Sequence, residues 1–413
     1  MSAAPPVSLV IVNFDREVSL ALLLKSLEYQ RYPNFEIILV SNLPPERRPD
    51  SPLPIRWITF TQRNISAARN IGINAAQGEI IAFCDDDAVP EYSWLGTLTR
   101  AFETPSVGSA GGFVRGRNGV AFQWKCALID RLGRDKRIGL PDQSIRVFPA
   151  SSDRALKTVG TNCAFRAKPL RDIGGFDEAF HFYLDEADVN IRLADAGWDA
   201  AMVPLAEVHH GYAEGPYRNN HRVPKTLFEI GASEAYFVNR HSPDAALDAH
   251  LASFTANQLK RLRVLFQNGL ITERRLTFLI ASLAEGFEEG KSRQQRLLQP
   301  APPPNAAFAP VPRNPSPQPP VLLVARPYQP RPGIRRRAAA AAAEGREVTL
   351  IEPEYSHRNL NVRYDVQGFW VHRFGIAGFA ERDAPRPLLP LAGRIKAEIN
   401  RVAVQRGLDC GSL

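Results

Sequence analysis

The chain is expected to be an α/β protein: a mostly parallel sheet, a helical extension behind it, then an incomplete second α/β unit. Three observations carry that expectation. Short apolar runs alternate with helical periodicity from residue 7 to about 115. One run, Glu79-Ile80-Ile81-Ala82-Phe83-Cys84, ends in three consecutive carboxylates, Asp85-Asp86-Asp87. A stretch at 300–320 is nearly half proline, and beyond it the strand, helix, strand pattern starts again.

In order, Val7-Val12 reads as a strand, and Leu20, Leu23, Leu24 and Leu27 give Val18-Gln30 one apolar helical face. Glu36-Val40 and Ile55-Thr59 are the next strands. Ser66 is the expected cap of a helix through Ala76, ended by Gly78. The acidic strand follows, then a helix near Ser93-Phe102 and a strand at Gly108-Arg115. Residues 116–160 are irregular and rich in Arg, Gly and Asp, and read as loops over the site. Regular structure returns at Asn162-Ala167, in a helix from Asp185 to Ala196 and in a strand from Trp198 to Val203. Residues 225–298 look helical, broken at Ser242-Pro243 and again before Thr272-Glu273. After the proline stretch come strands at Val321-Ala325 and Val348-Ile351, with a helix at Arg335-Gly345 between them. The expected division is 1–224 for the main α/β domain, 225–299 helical, 300–320 linker and 321–413 the partial unit.

Composition bounds the class. The chain has 413 residues, enough for two or three domains, and a net charge of +8. That charge suits anionic partners such as nucleotides or a lipid surface; nucleic acid is not expected. Four cysteines, Cys84, Cys126, Cys163 and Cys410, show neither close pairing nor metal-ligand spacing, and read as thiols of a reducing compartment. No apolar stretch approaches a membrane span, and the first residues lack signal-peptide character. The expected location is therefore cytoplasmic, with peripheral contact at the inner face of a membrane left open by Lys260, Arg261 and Arg263 beside leucines. A merely solvated basic face is the commoner case for such a patch.

The three carboxylates need compensation where a strand ends at a ligand crevice. Asp85 and Asp87, two apart on extended chain, project the same way and can share a hard cation such as Mg²⁺ or Mn²⁺. The plain alternative is an acidic turn or helix cap before Pro90. Asp185, Glu186 and Asp188 form a second acidic group, for which a helix N-terminus is the plain explanation.

The order and spacing of four blocks resemble the family 2 glycosyltransferases, inverting enzymes of the GT-A fold with a Rossmann-like sheet. The blocks are Val7-Ser8-Leu9-Val10-Ile11-Val12-Asn13-Phe14-Asp15-Arg16; Ser66-Ala67-Ala68-Arg69-Asn70-Ile71-Gly72 with Gly78 to Asp87; Gly160-Thr161-Asn162-Cys163-Ala164-Phe165-Arg166 with Ile173-Gly174-Gly175-Phe176-Asp177; and Tyr183-Leu184-Asp185-Glu186-Ala187-Asp188. Any one is weakly specific. The resemblance implies a nucleotide-sugar donor, a divalent cation on Asp85 and Asp87, and Glu186 as first choice for the base, with Asp185 beside it. Asp188 would bind acceptor or orient the site. His209 or His210 would complete the metal site. Asn13, Asp15, Ser41, Arg69, Asn70 and Asp86 are the candidates for contact with donor nucleotide or phosphate, with Arg69 equally able to pair with Asp85 or Asp87. The family usually carries an aspartate where this chain has Ser41, which leaves the nucleotide undetermined.

The expected function is thus hexosyl or related transfer from a nucleotide-sugar to a polysaccharide, lipid-linked or protein acceptor. The competing readings are a non-catalytic nucleotide-sugar-binding relative and, ranked last for want of a lysine-bearing glycine-rich loop, a sugar nucleotidyltransferase. Gly333-Ile334 with the alanine helix, Gly345 to Ile351, and Phe369-Trp370-Val371-His372-Arg373 resemble the start of a GT-B, family 4-like, enzyme lacking its donor-binding half. That segment is expected to be a truncated or vestigial second transferase.

Overall fold

The computed structural model describes residues 4–302, 304, 306–312, 318–380 and 389–409. Cys410 lies outside them. The elements run β1 (Val7–Asn13), α1 (Glu17–Leu27), β2 (Phe35–Ser41), β3 (Ile55–Thr59), α2 (Ile65–Ala75), β4 (Ile80–Phe83), β5 (Ala88–Pro90), α3 (Trp94–Thr99) and β6 (Val107–Arg115). Then come β7 (Phe122–Trp124), β8 (Ala127–Asp130), β9 (Asp135–Arg137), β10 (Arg146–Phe148), β11 (Arg154–Leu156), β12 (Cys163–Arg166), α4 (Ala167–Asp172), α5 (Asp185–Asp195) and β13 (Asp199–His210). Helices α6 (Phe228–His241), α7 (Leu247–Gln267) and α8 (Glu273–Ser292) follow. The last part holds β14 (Val321–Val324), α9 (Arg331–Ala343), β15 (Val348–Glu354), β16 (Asn361–Asp365), β17 (Phe369–Gly375) and α10 (Leu391–Arg406).

The main sheet has the order β10-β13-β6-β12-β4-β1-β2-β3, with β5 on β13 and β7 on β6. Strands β4, β1, β2 and β3 are parallel neighbours, as are β6 and β13; β12 runs antiparallel between the two groups. The α/β architecture is as expected, but the sheet is mixed. Apolar side chains on one face, among them Leu9, Ile37 and Leu39, pack with Leu20, Leu24 and Trp94; on the other face Val10, Ile38 and Phe83 pack with Ala68, Phe176 and Val189.

Two local expectations need correction. Asn64, not Ser66, caps α2: its side chain accepts the Ala67 amide, while Ser66 Oγ donates to the Phe180 carbonyl. Residues 116–160 are not only loops, because β8, β9 and β11 form a separate three-stranded sheet. Thr272 does cap α8, accepting the Arg275 amide. No described helix is long and apolar enough to cross a membrane.

The last part forms its own sheet, β14-β15-β17-β16, parallel except at the β16 edge. It shares a core with the first part, in which Tyr29, Val89, Tyr92 and Val120 pack with Val348, Leu350, Trp370 and Ile399. Tyr29 Oη donates to the Ala342 carbonyl at 2.8 Å, and Arg31 pairs with Glu347. Arg406, at the end of α10, forks onto both oxygens of Glu91 at 2.7 and 2.8 Å, and neither side chain is more than 1% exposed. The described residues of the proline-rich stretch carry no helix or strand; Val311 donates its amide to the Phe35 carbonyl and sits in the first core.

Candidate active site

The register of the parallel strands builds one end of the site. Asn13 lies opposite Ser41 across β1 and β2. Ser41 Oγ donates to Asn13 Oδ1 at 3.0 Å, and Asn13 Nδ2 donates to Asp86 Oδ2 at 2.7 Å. Arg16 closes this chain at 2.8 Å from Asp86 Oδ1. Asn13, Ser41 and Asp86, drawn from separate blocks of sequence, thus meet in one buried network. Burial pushes the Asp86 carboxyl up to about 7 against the pull of Arg16. Asp15 stands at the rim with φ 59°, accepting from Asn42 at 2.8 Å and pairing with Arg63 at 2.5 Å.

Asp85, Asp87 and His210 each offer one ligand atom, and those atoms lie within 4.8 Å of one another. The antiparallel pairing of β5 with β13 delivers His210 beside Asp87, and the Gly211 amide donates to the Asp87 carbonyl at 2.7 Å. Asp85 accepts from Thr161 Oγ1 at 2.5 Å. Asp87 Oδ2 accepts the Ala213 amide at 2.7 Å. Asp87 Oδ1 is buried and has no hydrogen-bond partner among the described residues, although His210 Nε2 lies at 3.2 Å and Arg16 Nη1 at 3.6 Å. Burial would raise the Asp87 carboxyl; the charges of His210 and Arg16 outweigh it and bring it down to about 2. Burial would lower His210, but the Asp87 charge holds it above its ordinary value. His210 Nδ1 faces Gln123 Oε1 at 2.8 Å, which fixes the ring and assigns Nδ1 as a donor. Two carboxylates and one imidazole, one oxygen of them buried and unpartnered, fit a divalent cation such as Mn²⁺ or Mg²⁺.

His209 is not part of this cluster. Adjacent strand residues point to opposite faces. Its Nε2 lies 2.9 Å from Glu91 Oε1, and its ring packs 4.4 Å from that of Trp370.

The second acidic group sits at the N-terminus of α5. Tyr183 and Leu184 precede it with φ of 77° and 66°, a left-handed turn unusual for two such bulky residues. Arg69 pairs with both Asp185 and Glu186, the latter at 2.9 Å, rather than with Asp85 or Asp87. Asp185 is nearly enclosed, whereas the Glu186 side chain is 18% exposed. Burial and the neighbouring Glu186 charge drive Asp185 upward. Burial opposes ionisation of Glu186 too, but Arg69 overcomes it and keeps Glu186 below its ordinary value. Glu186 is therefore the ionised, reachable member of the pair. Gly160 closes over it; a Cβ there would overlap both Arg69 and Glu186.

Two candidates have their polar atoms engaged by neighbouring protein groups. Asp188 is fully buried, bound by Arg192 at 2.6 Å and by Arg240 and His241 at 3.0 Å. Those cations hold its carboxyl well below the ordinary range, against burial. Its place is orienting α5, not contact with acceptor. Asn70 accepts the Phe176 amide and donates to the Phe176 carbonyl and to Glu178, so it staples α2 to that turn, at the edge of a pocket also lined by Asn64 and Asp177. Arg16, Thr161, Gln123 and Gly160 were not singled out from sequence. Arg16 and Thr161 stand inside the quoted blocks and were within reach; Gln123 had no signal.

Comparison with known proteins bears on this geometry. A family model described as "Glycosyl transferase family 2" matches residues 8–174. The uncharacterised glycosyltransferase YwdF of Bacillus subtilis strain 168 is 36% identical over 242 residues, covering 57% of this chain and 82% of that protein. The pre-mycofactocin glycosyltransferase of Mycobacterium tuberculosis is 30% identical over 152 residues; the match covers 36% of this chain and only 30% of that relative's length. Among solved structures, a Pyrobaculum calidifontis mannosyltransferase in complex with GDP-Man and Mn²⁺ aligns over 70% of this chain and 88% of its own, at 15% identity and a TM-score of 0.41.

Proposed function

The chain belongs to glycosyl transferase family 2, and from that premise we propose that it is an inverting transferase moving a sugar from a nucleotide-sugar to a hydroxyl of a polysaccharide, lipid-linked or protein acceptor. The observation that carries the reading is the pairing of two unlike acidic groups: Asp85 and Asp87 with His210, and the ionised Glu186 beside Arg69. Asp85, Asp87 and His210 would hold a Mg²⁺ or Mn²⁺ ion. When bound, that ion would supply charge neutralisation for the departing diphosphate. Glu186 takes the proton of the acceptor hydroxyl at a carboxylate oxygen as the acceptor oxygen attacks the anomeric carbon. Attack comes from the face opposite the leaving group, so the bond to the diphosphate breaks as the new glycosidic bond forms. Asn13, Ser41 and Asp86 offer a polar floor for the nucleoside, with Asp15 at its rim. The test is release of nucleoside diphosphate by the full chain across a panel of nucleotide-sugars, with Mn²⁺, Mg²⁺ or EDTA. A nucleotidyltransferase would release pyrophosphate instead, and a binding relative would release neither.

The C-terminal segment is read as a remnant of a second transferase, supported by its β-α-β order from Val321 to Glu354. The proposed setting is the cytoplasmic face of a membrane. Val264, Phe266 and Leu270 are about half exposed and follow the basic residues Lys260, Arg261 and Arg263 along the chain, a combination suited to anionic lipid. Equal co-sedimentation with phosphatidylglycerol and phosphatidylcholine vesicles would count against it.

A further inference from the structure

A cavity of about 220 Å³ lies between the metal-site end of the main sheet and the C-terminal sheet. Asp87, His209 and His210 line it from one side, Val362, Tyr364 and Trp370 from the other. The second wall is fixed in place. The Val362 amide donates to the Asn118 carbonyl at 2.8 Å, and Gly119 (φ 68°) admits β16 where a Cβ would overlap it.

Three of these side chains keep a buried polar atom without a hydrogen-bond partner among the described residues: His209 Nδ1, Tyr364 Oη and Trp370 Nε1. All three side chains are more than nine-tenths buried. An unsatisfied buried polar group is costly, so three on residues lining one cavity point to a guest that satisfies them. The chemistry of the set is mixed. Trp370 Nε1–H only donates, and Tyr364 Oη both donates and accepts. His209 turns Nε2 to Glu91 at 2.9 Å and leaves Nδ1 without a partner among the described residues. A guest must therefore accept at some atoms and donate at others, at close spacing. Neighbouring sugar hydroxyls do both. The volume is far above the roughly 10–15 Å³ that one water needs.

We propose that this cavity is a sugar-hydroxyl subsite, in which the C-terminal sheet supplies Tyr364 and Trp370 to a glycosyl unit carried by either the acceptor or the donor. The inference rests on the glycosyltransferase reading and assigns the C-terminal sheet a part in substrate recognition. It gives physical sense to that sheet's packing against the end of β13 that bears His210.

The experiment compares wild type, Tyr364→Phe and Ser19→Phe, all as the full chain. Tyr364→Phe removes one unsatisfied oxygen and keeps the ring; Ser19→Phe fills the cavity from α1. Binding is read by saturation-transfer NMR with methyl glycosides of glucose, galactose, mannose, N-acetylglucosamine and rhamnose. The corresponding nucleotide-sugars and the free nucleoside diphosphates form a second arm, and each protein's melting temperature is recorded. Tyr364→Phe should weaken sugar binding roughly fivefold to tenfold while leaving the melting temperature unchanged or higher, because an unsatisfied hydroxyl is gone. Ser19→Phe should abolish it. Loss confined to methyl glycosides assigns the acceptor as source. Loss confined to nucleotide-sugars, with the free diphosphates unaffected, assigns the donor. Equal binding of every sugar probe to wild type and both variants means a cavity that holds water only, and overturns the proposal. Failure of wild type to release any nucleoside diphosphate would instead overturn the transferase reading, and the sugar-binding comparison would still decide the cavity.

Discussion

Spacing pointed to Asp85 and Asp87 as a pair on extended chain, but the structure brings them together differently: β4 ends at Phe83, and a turn closed by the Ala88 amide on the Asp85 carbonyl at 3.1 Å sets the two carboxylates beside each other. His210 could be narrowed only to a pair, since sequence does not say which of two adjacent histidines faces the acids. The same limit applied to Arg69, whose choice of Asp185 and Glu186 depends on how α2 crosses α5. Asn70 and Asp188 carry the right atoms but have them occupied, a fact visible only in packing. Three predictions belong at this scale. Asp87→Asn should weaken Mn²⁺ binding and metal-dependent donor binding, while Glu186→Gln should leave donor binding largely intact and cut turnover by roughly 10²–10⁴-fold. Equal loss of donor binding in both variants would refute the division of roles. Gln123→Ala frees the ring of His210 and should lower Mn²⁺ affinity roughly 10–100-fold, read by the EPR signal of free Mn²⁺. Gly160→Ala should displace Glu186 and Arg69, lowering turnover with the metal affinity unchanged.

Elements with strong periodicity fell where the sequence placed them: α1, β2, the acidic strand, α8 and its Thr272 cap. The strands of 116–160 did not, because three- and four-residue strands carry no usable alternation and are fixed by partners distant in sequence. Antiparallel β12 was hidden for a related reason: strand direction is a property of the neighbour, not of the segment. Thr272→Ala should cost about 0.5–2 kcal/mol in a denaturation experiment. At the C-terminal sheet, β17 presents His372 to α10, between Glu398 and Arg406, with Arg401 next to Glu398. Arg406 can only donate to one ring nitrogen, so the ring proton belongs on the other, facing Glu398. Burial and the Arg406 charge bring His372 down to about 4. Its folded value lies below the unfolded one, near 6.5, so the unfolded chain binds more protons between them. Stability from this group is full above about pH 6.5 and is lost as pH falls toward 4, by at most about 1.4 kcal/mol per pH unit. Denaturant melts from pH 7 to 4 should lose this dependence in His372→Gln; an unchanged slope would refute it.

For the whole molecule, the sequence divides the chain at the proline stretch, whereas the structure joins what lies on either side through a common apolar core and the Glu91–Arg406 pair. That union was not legible, since Glu91 and Arg406 are 315 residues apart and neither lies in a motif. Breaking a buried ion pair from one side leaves the other charge stranded. Arg406→Met should therefore destabilise the protein by about 3–5 kcal/mol, and Glu91→Leu similarly. The double variant should recover much of that loss, since no lone charge remains. Additive losses in a double-mutant cycle would show that the two residues do not act as a pair.

Strand β13 ends in two neighbouring histidines with separate duties, one turned to the acidic cluster and one to the seam with the C-terminal sheet. Their division follows from side-chain alternation along the strand's last residues, beyond the register shift between Val203 and Val208. Losing or gaining a single residue between Val208 and His210, past that shift, would exchange the two faces, sending each imidazole to the other's partners. Lineages that altered the residue count there would be expected to have changed it by two, or to carry a compensating bulge.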